Sequence, residues 1–461
     1  MADADHRLAA SSVGPVAAPL CPPCVLASRR RRLAISRVSS RGDPLAAAAM
    51  RPGRLRSVPR PMRRPVLLCA CALLAAGPTV LAFVSGGYFE HARLVALAVA
   101  AVALAAAALG EPRAVVPAAA PGRAALAALA AYAAWVAIAS TWSPIAFDGR
   151  ADVQRALLYL AAFAAAAAAW RSRARLAWLE PALAAGTVVV IGYGLSGRLA
   201  PGVVTLHRSF SAGGRLEQPL TYWNATGSLA AIGFVLCARL AGEPSRPRAV
   251  RCAAAAGAVP LAMGVYLSFS RGALAALAAG VLVLLLVAPT RAQLRALGVA
   301  LATGILASAV AGSSDGVRAL AGSASAREIG GGAVLGAALA LAAFAALLTA
   351  AAAREEAAGD RRLAGPAWAR PAAVATLVAV LIVPVVLTGH DRPAAFGATN
   401  QRFSSASSNR YDYWRVALDI GADHPLAGVG PGGFAVHWLR RRPIDEPVHD
   451  AHSFELEAFA E

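Results

Sequence analysis

An all-α polytopic membrane protein is the fold class this sequence predicts, and three observations carry it. Hydrophobic residues make up 58% of the 461 positions and the mean hydropathy is +0.57, well above the roughly 45–50% apolar content of soluble domains. The Ala, Leu and Val runs are continuous where a strand would alternate, and they recur near the ~20 residues that cross a bilayer as helix. Arginine concentrates in alternate breaks between the runs, as the positive-inside rule requires of helical spans. Because lipid leaves no backbone group solvated, helices are the only structure these runs support.

Residues 1–65 precede the first run. They hold "RRRRLAISRVSSR" and "RPGRLRSVPRPMRRP" and no apolar stretch able to bury a core, so they read as a disordered, Arg/Pro-rich cytoplasmic leader. Met50 or Met62 is an equally good start. A twin-arginine signal needs an apolar stretch directly after the arginines, and Ser, Arg and Gly intervene here. From there about eleven spans are expected, at 66–84, 92–109, 124–140, 156–170, 178–196, 225–240, 252–269, 272–289, 296–311, 329–353 and 371–388. They form a transmembrane domain over 66–388.

The breaks "EPRAVVPAAAPGR", "RSRAR", "ARLAGEPSRPRAVR", "PTRAQLR" and "AREEAAGDRRLAGPAWAR" carry the arginines, together with the leader. Loop parity therefore puts the N-terminus inside and residues 389–461 outside as one large extracytoplasmic loop. That loop holds five of the eight His and ten of the 25 acidic residues. The polar chemistry of the chain is gathered outside the membrane, where loops on a rigid frame carry function disproportionately.

The net charge of +19 does not indicate nucleic acid. All 44 basic residues are Arg and none is Lys, a bias of coding composition that drains information from single Arg clusters. Cysteines stand at 21, 24, 69, 71, 237 and 252. "CPPC" sits in the leader without a second pair or a flanking strand, and the other four lie in or beside apolar runs, so neither a disulfide framework nor a zinc site is expected.

Three outer stretches stand apart. "GRLEQPLTYWNATG" (214–227) reads as a turn with interfacial aromatics and an N-cap at Asn224, or as part of a site. "SFSRGALAALAAG" (268–280) places Arg271 alone between apolar runs, where it either fixes a tight turn or binds an anion through its guanidinium fork. The third runs from "SSNRYDYWRVALDI" through "HPLAGVGPGGF" to "HDAHSFELEAF". Ser408 or Asn409 can cap a helix with Arg410 in its first turn and Tyr413, Trp414, Ala417 and Leu418 at helical spacing. "GVGPGGF" lacks the Lys-Ser/Thr of a phosphate loop. His449, Asp450 and His452 have no HExxH pattern and no third ligand, so a general base is the better use of an imidazole there. Loop parity puts Arg271, Arg410 and His452 on one face: two cations and a base, suited to a diphosphate-bearing donor and a hydroxyl acceptor.

These residues resemble a known family. "RYDYWRVALDIGADHPLAGVGPGGF" followed by "HDAHSFELEAFAE" is similar to the large outer loop of the O-antigen ligase and O-antigen polymerase superfamily. "SFSRGALAAL" resembles its Ser-Arg-Gly turn, and "STWSPIAFDGRADVQRALLYLAAF" and "GRLEQPLTYWNATG" resemble its earlier loops. The resemblance spans about residues 120–461 in order. It implies a GT-C-like glycosyltransferase of about twelve or more helices in the bacterial cytoplasmic membrane. Its members move or polymerise a glycan from undecaprenyl diphosphate onto a hydroxyl acceptor at the outer face, without a nucleotide sugar, cofactor or required metal. Carried over, Arg271 and Arg410 bind the donor diphosphate with Arg215 assisting, and His452 activates the acceptor, with inversion at the anomeric carbon. The expected partners are the polyprenyl-linked donor, a glycan or lipid-glycan acceptor and membrane lipid, not nucleic acid. His452 is followed by Ser where many members have Asn. Members also continue with a Gly and at least one further span, so the chain reads as a fragment ending before a closing helix.

Two other classes fit less well. A GT-C mannosyltransferase with a polyprenyl-monophosphate donor needs an acid in the first outer loop, and Glu90 in "SGGYFEHAR" is the one candidate. A transporter or flippase places ionisable groups or broken helices at mid-membrane and often repeats internally, and these runs are nearly charge-free with no visible repeat.

Overall fold

A computed structural model describes residues 60–111, 116–355, 397–404 and 409–461. The leader up to residue 59 with Cys21 and Cys24, the expected span at 371–388, the start of the outer loop at 389–396 and the cap candidate Ser408 lie outside the described residues. Ten of the eleven expected spans coincide with helices: α1 Arg60–Ala82, α2 Glu90–Gly110, α3 Ala120–Ala139, α4 Ala146–Ala169, α5 Arg173–Leu199, α6 Trp223–Ala241, α7 Arg248–Leu267, α8 Arg271–Val287, α9 Arg291–Ser313 and, after the single-turn α10 (Asp315–Arg318), α11 Ala324–Glu355. Nine are long and apolar enough to cross a membrane, and α8, at 17 residues, is the shorter tenth. Helix α1 starts six residues before the expected boundary, inside the arginine-rich end of the leader.

Packing follows from composition. Alanine-rich faces let helix backbones approach closely, which in lipid replaces the hydrophobic drive with dispersion contact. Helices α5, α6, α7, α9 and α11 share one core built around Ile191, Leu195, Phe234, Leu261, Met263 and Leu267. Helices α6 and α7 are innermost, with more than half of their apolar windows buried. Gly264 of α7 shows how tight this is, since a Cβ there would lie 2.6 Å from Ile191 Cγ2 of α5. A second core joins α1, α2 and α4 through Ala70, Cys71, Ala103, Ala107, Ala165 and Ala168. Cys71 and Cys237 are buried free thiols, used as small apolar side chains.

The loops sort into two ends as parity requires. At one end Arg175 pairs with Glu111 at 3.4 Å, Arg246 with Glu180 at 2.9 Å and Arg295 with Glu355 at 3.8 Å. At the other, Arg198 donates to Val317 O at 2.7 Å and Gly214 O at 2.6 Å, and Leu216 N donates to Leu267 O at 2.8 Å. Ser143, between α3 and α4, donates to Pro431 O at 2.6 Å at this same end.

The segment from residue 397 onward forms a small cap at this second end: α12 Gln401–Ser404, α13 Arg410–Asp423, α14 Gly433–Arg441 and α15 Phe454–Ala460. It has its own core of Tyr413, Val416, Ala417, Ile420, Phe434, Trp438, Ala451 and Ala460. The "GVGPGG" turn seats the cap on the bundle. Gly430 has φ +79°, and a Cβ there would lie 2.9 Å from the Ser143 backbone. Both conformation and space exclude a side chain. Gly430→Ala is expected to destabilise the cap by about 1–3 kcal/mol. Hydrogen exchange checks this: the amides of α14 lose protection while those of α6 and α7 keep theirs.

Candidate functional site

Helix α13 buries Tyr413, Val416, Ala417 and Ile420, an i, i+3, i+4, i+7 stripe. This departs from the expected stripe: Trp414 is half-buried and Leu418 is 49% exposed, because α14 and α15 dock on the neighbouring face. Tyr413 meets Trp438 edge-on with ring centroids 5.0 Å apart. Glu446, which no sequence motif marks, ties the start of α13 down. Its Oε2 accepts from Tyr413 OH at 2.8 Å and from Asn409 Nδ2 at 2.6 Å, and its backbone O accepts from Trp438 Nε1 at 2.7 Å. Asn409 is thus the N-cap residue by position while its side chain serves a tertiary contact and does not cap the helix. The outcome at Asn224 is similar: the cap position is Tyr222, and Asn224 Nδ2 donates to Tyr222 OH at 2.8 Å. The Glu446 clamp sets where Arg410, the first residue of α13, is held.

His452 is exposed and has φ +55°, in the left-handed region that costs a branched or bulky residue about 1 kcal/mol or more. The segment on both sides holds it there. Ala451 is buried and its N–H donates to Glu457 Oε2 at 3.1 Å, while Ser453 caps α15 through its hydroxyl. The imidazole lies 5.7 Å from the Tyr413 ring. Crowding by surrounding protein, then the Arg410 guanidinium, hold it below the ordinary His range, which favours the neutral imidazole.

His449 is tuned the other way. Burial opposes its charge, but Asp450, 3.2 Å from Nδ1, and Asp148, 3.3 Å from Nε2, together raise it above the ordinary range. Two imidazoles three residues apart are thus pushed in opposite directions, the pattern that separates a base from an ion-pairing group. His449 links the cap to α4, and His452 is the one suited to accept a proton.

Arg271 is the first residue of α8, after a turn in which buried Ser268, Phe269 and Ser270 each have a structural task. Ser268 accepts from Ser270 N at 3.3 Å, Ser270 accepts from Ala273 N at 3.2 Å, and Phe269 takes φ +48°. Fixing the turn and binding an anion are both compatible with this placement of Arg271. Arg410 and Tyr411 come within its electrostatic reach.

A further arginine, Arg402 of α12, stands in the same field. Its Nε donates to Phe269 O at 3.3 Å, and burial, then Arg271 and Arg410, pull its guanidinium below the ordinary value. Like charges near one another in a partly desolvated setting oppose each other's ionisation, which is the sense of this shift. Nothing around Arg402 in the sequence marks it.

Arg215 is placed differently. It is buried, donates from Nε to Ala212 O at 2.6 Å and from an Nη to Ser211 O at 2.7 Å, and lies 3.5 Å over the Trp223 ring. Burial and Arg402 lower it to about 10, which leaves it charged at neutral pH. These bonds brace its own loop.

His452 also lines an open cleft of about 790 Å³ bounded by Tyr88, Tyr132, Asp148, Asp152 and His449. Glu90 lines it too, with Oε1 accepting from Gln154 at 3.0 Å. Burial and Asp450 push the Glu457 carboxyl in this cleft up to about 7. His452 therefore lines a cleft of aromatic and carboxylate side chains while lying in the field of Arg410. Among the described residues, no three His, Cys, Asp or Glu side chains converge as metal ligands do.

Residues 330–461 match the family model described as O-antigen ligase, which supports the superfamily resemblance. The matched range includes Arg402, Arg410 and His452, and excludes Arg215 and Arg271. No curated protein and no solved structure matches the chain.

Proposed function

We propose, from the O-antigen ligase domain carried by residues 330–461, that this membrane protein transfers or polymerises a glycan from undecaprenyl diphosphate onto a hydroxyl acceptor. The observation that carries the proposal is His452, held at φ +55° at the edge of the cleft and in the field of Arg410. The helical body is read as GT-C-like, with its working loops on the outer face of the cytoplasmic membrane. The sorting of arginine-poor loops to the cap end supports that orientation.

In this mechanism the donor diphosphate lies against Arg271 and Arg410, whose guanidinium forks match its oxygens. The acceptor enters from the cleft, and His452 takes the hydroxyl proton as the oxygen attacks the anomeric carbon. The carbon–oxygen bond to the diphosphate breaks with inversion, and undecaprenyl diphosphate leaves with the electron pair. The arginines balance the charge that gathers on the leaving group. Arg215 contributes by holding the loop from Ser211 to Trp223.

The test is a transfer assay with the purified full chain in proteoliposomes, an undecaprenyl-diphosphate-linked glycan and membrane-extracted acceptors. The expected result is one undecaprenyl diphosphate released per new glycosidic bond. Movement of intact donor between leaflets without release would instead establish a flippase. Turnover of a polyprenyl-monophosphate sugar alone would shift the assignment to the Glu90-based alternative.

A further inference from the structure

Helices α1 and α5 both start at the end of the bundle opposite the cap, and an open groove of about 650 Å³ lies between them. Arg63 and Arg64 of α1 and Arg175 of α5 line its mouth, and no carboxylate lines it anywhere. From Leu67 to Ala75 on α1, and at Ala182 on α5, its walls are apolar. Farther in the two helices close, where Gly186 packs on Thr79 with no room for a Cβ. The groove is therefore blind, charged at one end and greasy along the rest.

Its dimensions match half a bilayer. At 1.5 Å per helical residue the apolar stretch from Leu67 to Ala75 runs about 12 Å, and one leaflet of hydrocarbon is about 15 Å deep. Trp178, 73% exposed on the rim, is the residue type that settles at headgroup depth. Arg175 is fixed in place, its Nε donating to Ser172 Oγ at 3.0 Å and its Nη2 to Glu111 Oε2 at 3.4 Å. Its Nη1 is shielded from solvent and has no hydrogen-bond partner among the described residues. An unmet donor of this kind calls for an acceptor.

The next cavity at this end, on the other side of Trp178, is different. There Arg239 pairs with Glu243 at 2.7 Å and Arg246 with Glu180 at 2.9 Å, so the protein matches its own charge. The sequence before α1 is itself arginine-rich and does not complement the mouth of the groove. A molecule with one anionic group above a hydrocarbon chain does.

We propose that this groove binds one anionic phospholipid, its phosphate at Arg63, Arg64 and Arg175 and an acyl chain along α1. The site lies at the opposite end of the bundle from His452 and stands independently of the transfer reaction.

The experiment titrates three probes onto the delipidated full chain in a neutral detergent, with native mass spectrometry as the readout. They are dioleoyl phosphatidylglycerol, dioleoyl phosphatidylcholine and glycerol 3-phosphate. Wild type is expected to hold one phosphatidylglycerol about 10-fold to 100-fold more tightly than phosphatidylcholine, the worth of two or three arginines beside an anionic headgroup. Replacing Arg63, Arg64 and Arg175 together with Gln should remove most of that preference through weaker phosphatidylglycerol binding alone. Ala72→Phe, at an exposed position in the apolar part, should weaken both lipids, and Arg246→Gln in the next cavity should leave the preference at its wild-type value.

Equal binding of the two lipids by wild type, or a preference that survives the triple variant, overturns the site. Arg64 is exposed, so Arg64→Gln keeps the fold where the triple variant does not. Alone it should reduce the preference by about 3-fold to 5-fold, and an unchanged preference overturns the site as well. Glycerol 3-phosphate that binds as tightly as phosphatidylglycerol, or lipid binding indifferent to Ala72→Phe, overturns the lipid as occupant.

Discussion

Replacing His452 with alanine is expected to lower kcat/KM for transfer by about 10²–10⁴-fold, the usual contribution of a positioned general base. The same residue predicts an effect on stability of opposite sign. His452 holds φ +55°, which alanine retains and glycine relieves. His452→Gly should therefore stabilise the cap by about 1 kcal/mol relative to His452→Ala while being equally inactive. Thermal unfolding of the two variants beside the transfer assay reads both effects. A variant that keeps wild-type turnover removes His452 from the chemistry, and equal stability of the two variants removes the strain.

The pH profile gives this residue a second signature. A base works only when deprotonated, and crowding and Arg410 hold His452 below its ordinary value near 6.5. The rate should stay level as pH falls from neutral and decline only below that ordinary value. In Arg410→Gln one of the two depressing influences is gone, so the acid limb should move to higher pH. Crowding by the surrounding protein is the larger influence, so the move is partial.

The second large effect is expected from the arginine pair. Arg271→Ala and Arg410→Ala should each reduce kcat/KM by roughly 10-fold to 100-fold, as expected for charge-assisted hydrogen bonds lost to a phosphate. The two guanidiniums meet one diphosphate, so the double variant should lose less or more than the product of the singles. A double-mutant cycle measures that coupling; strict independence would place the two arginines on different ligands. Only Arg410→Ala should also move the pH profile, because it lies in the field of His452 while Arg271 is not among the charges acting on that imidazole.

The apolar helices are legible in the amino-acid sequence. Lipid imposes length and hydrophobicity on each span separately, so ten stretches, from 66–84 to 329–353, are found one at a time and each coincides with a helix. The sorting of loops is legible for the same reason, since arginine placement is a property of each loop. Helical spacing puts Tyr413 and Ala417 on the buried face of α13, but it does not separate Trp414 and Leu418 from Val416 and Ile420. Helical period defines a stripe to within a residue or so, and the docking of α14 and α15 chooses among neighbouring stripes. Asn224 and Asn409 have the sequence of caps because an Asn before a helix caps it when no better partner is present; Tyr222 and Glu446 are those partners.

Arg402 is invisible in the sequence for a different reason. In a chain whose 44 basic residues are all Arg, one more arginine in "NQRFSS" carries no information. Its position beside Arg271 arises from a contact between residues 133 apart, and Arg198 reaches Val317 across 119. The sequence alone decided the class of protein, its helices, its two ends and the motifs of its cap, because burial in lipid is periodic and local. Tertiary structure decided which cations share a field, which histidine pairs with carboxylates and which stands open beside a cleft. Those outcomes depend on charges a few ångströms apart that the chain holds more than a hundred residues apart.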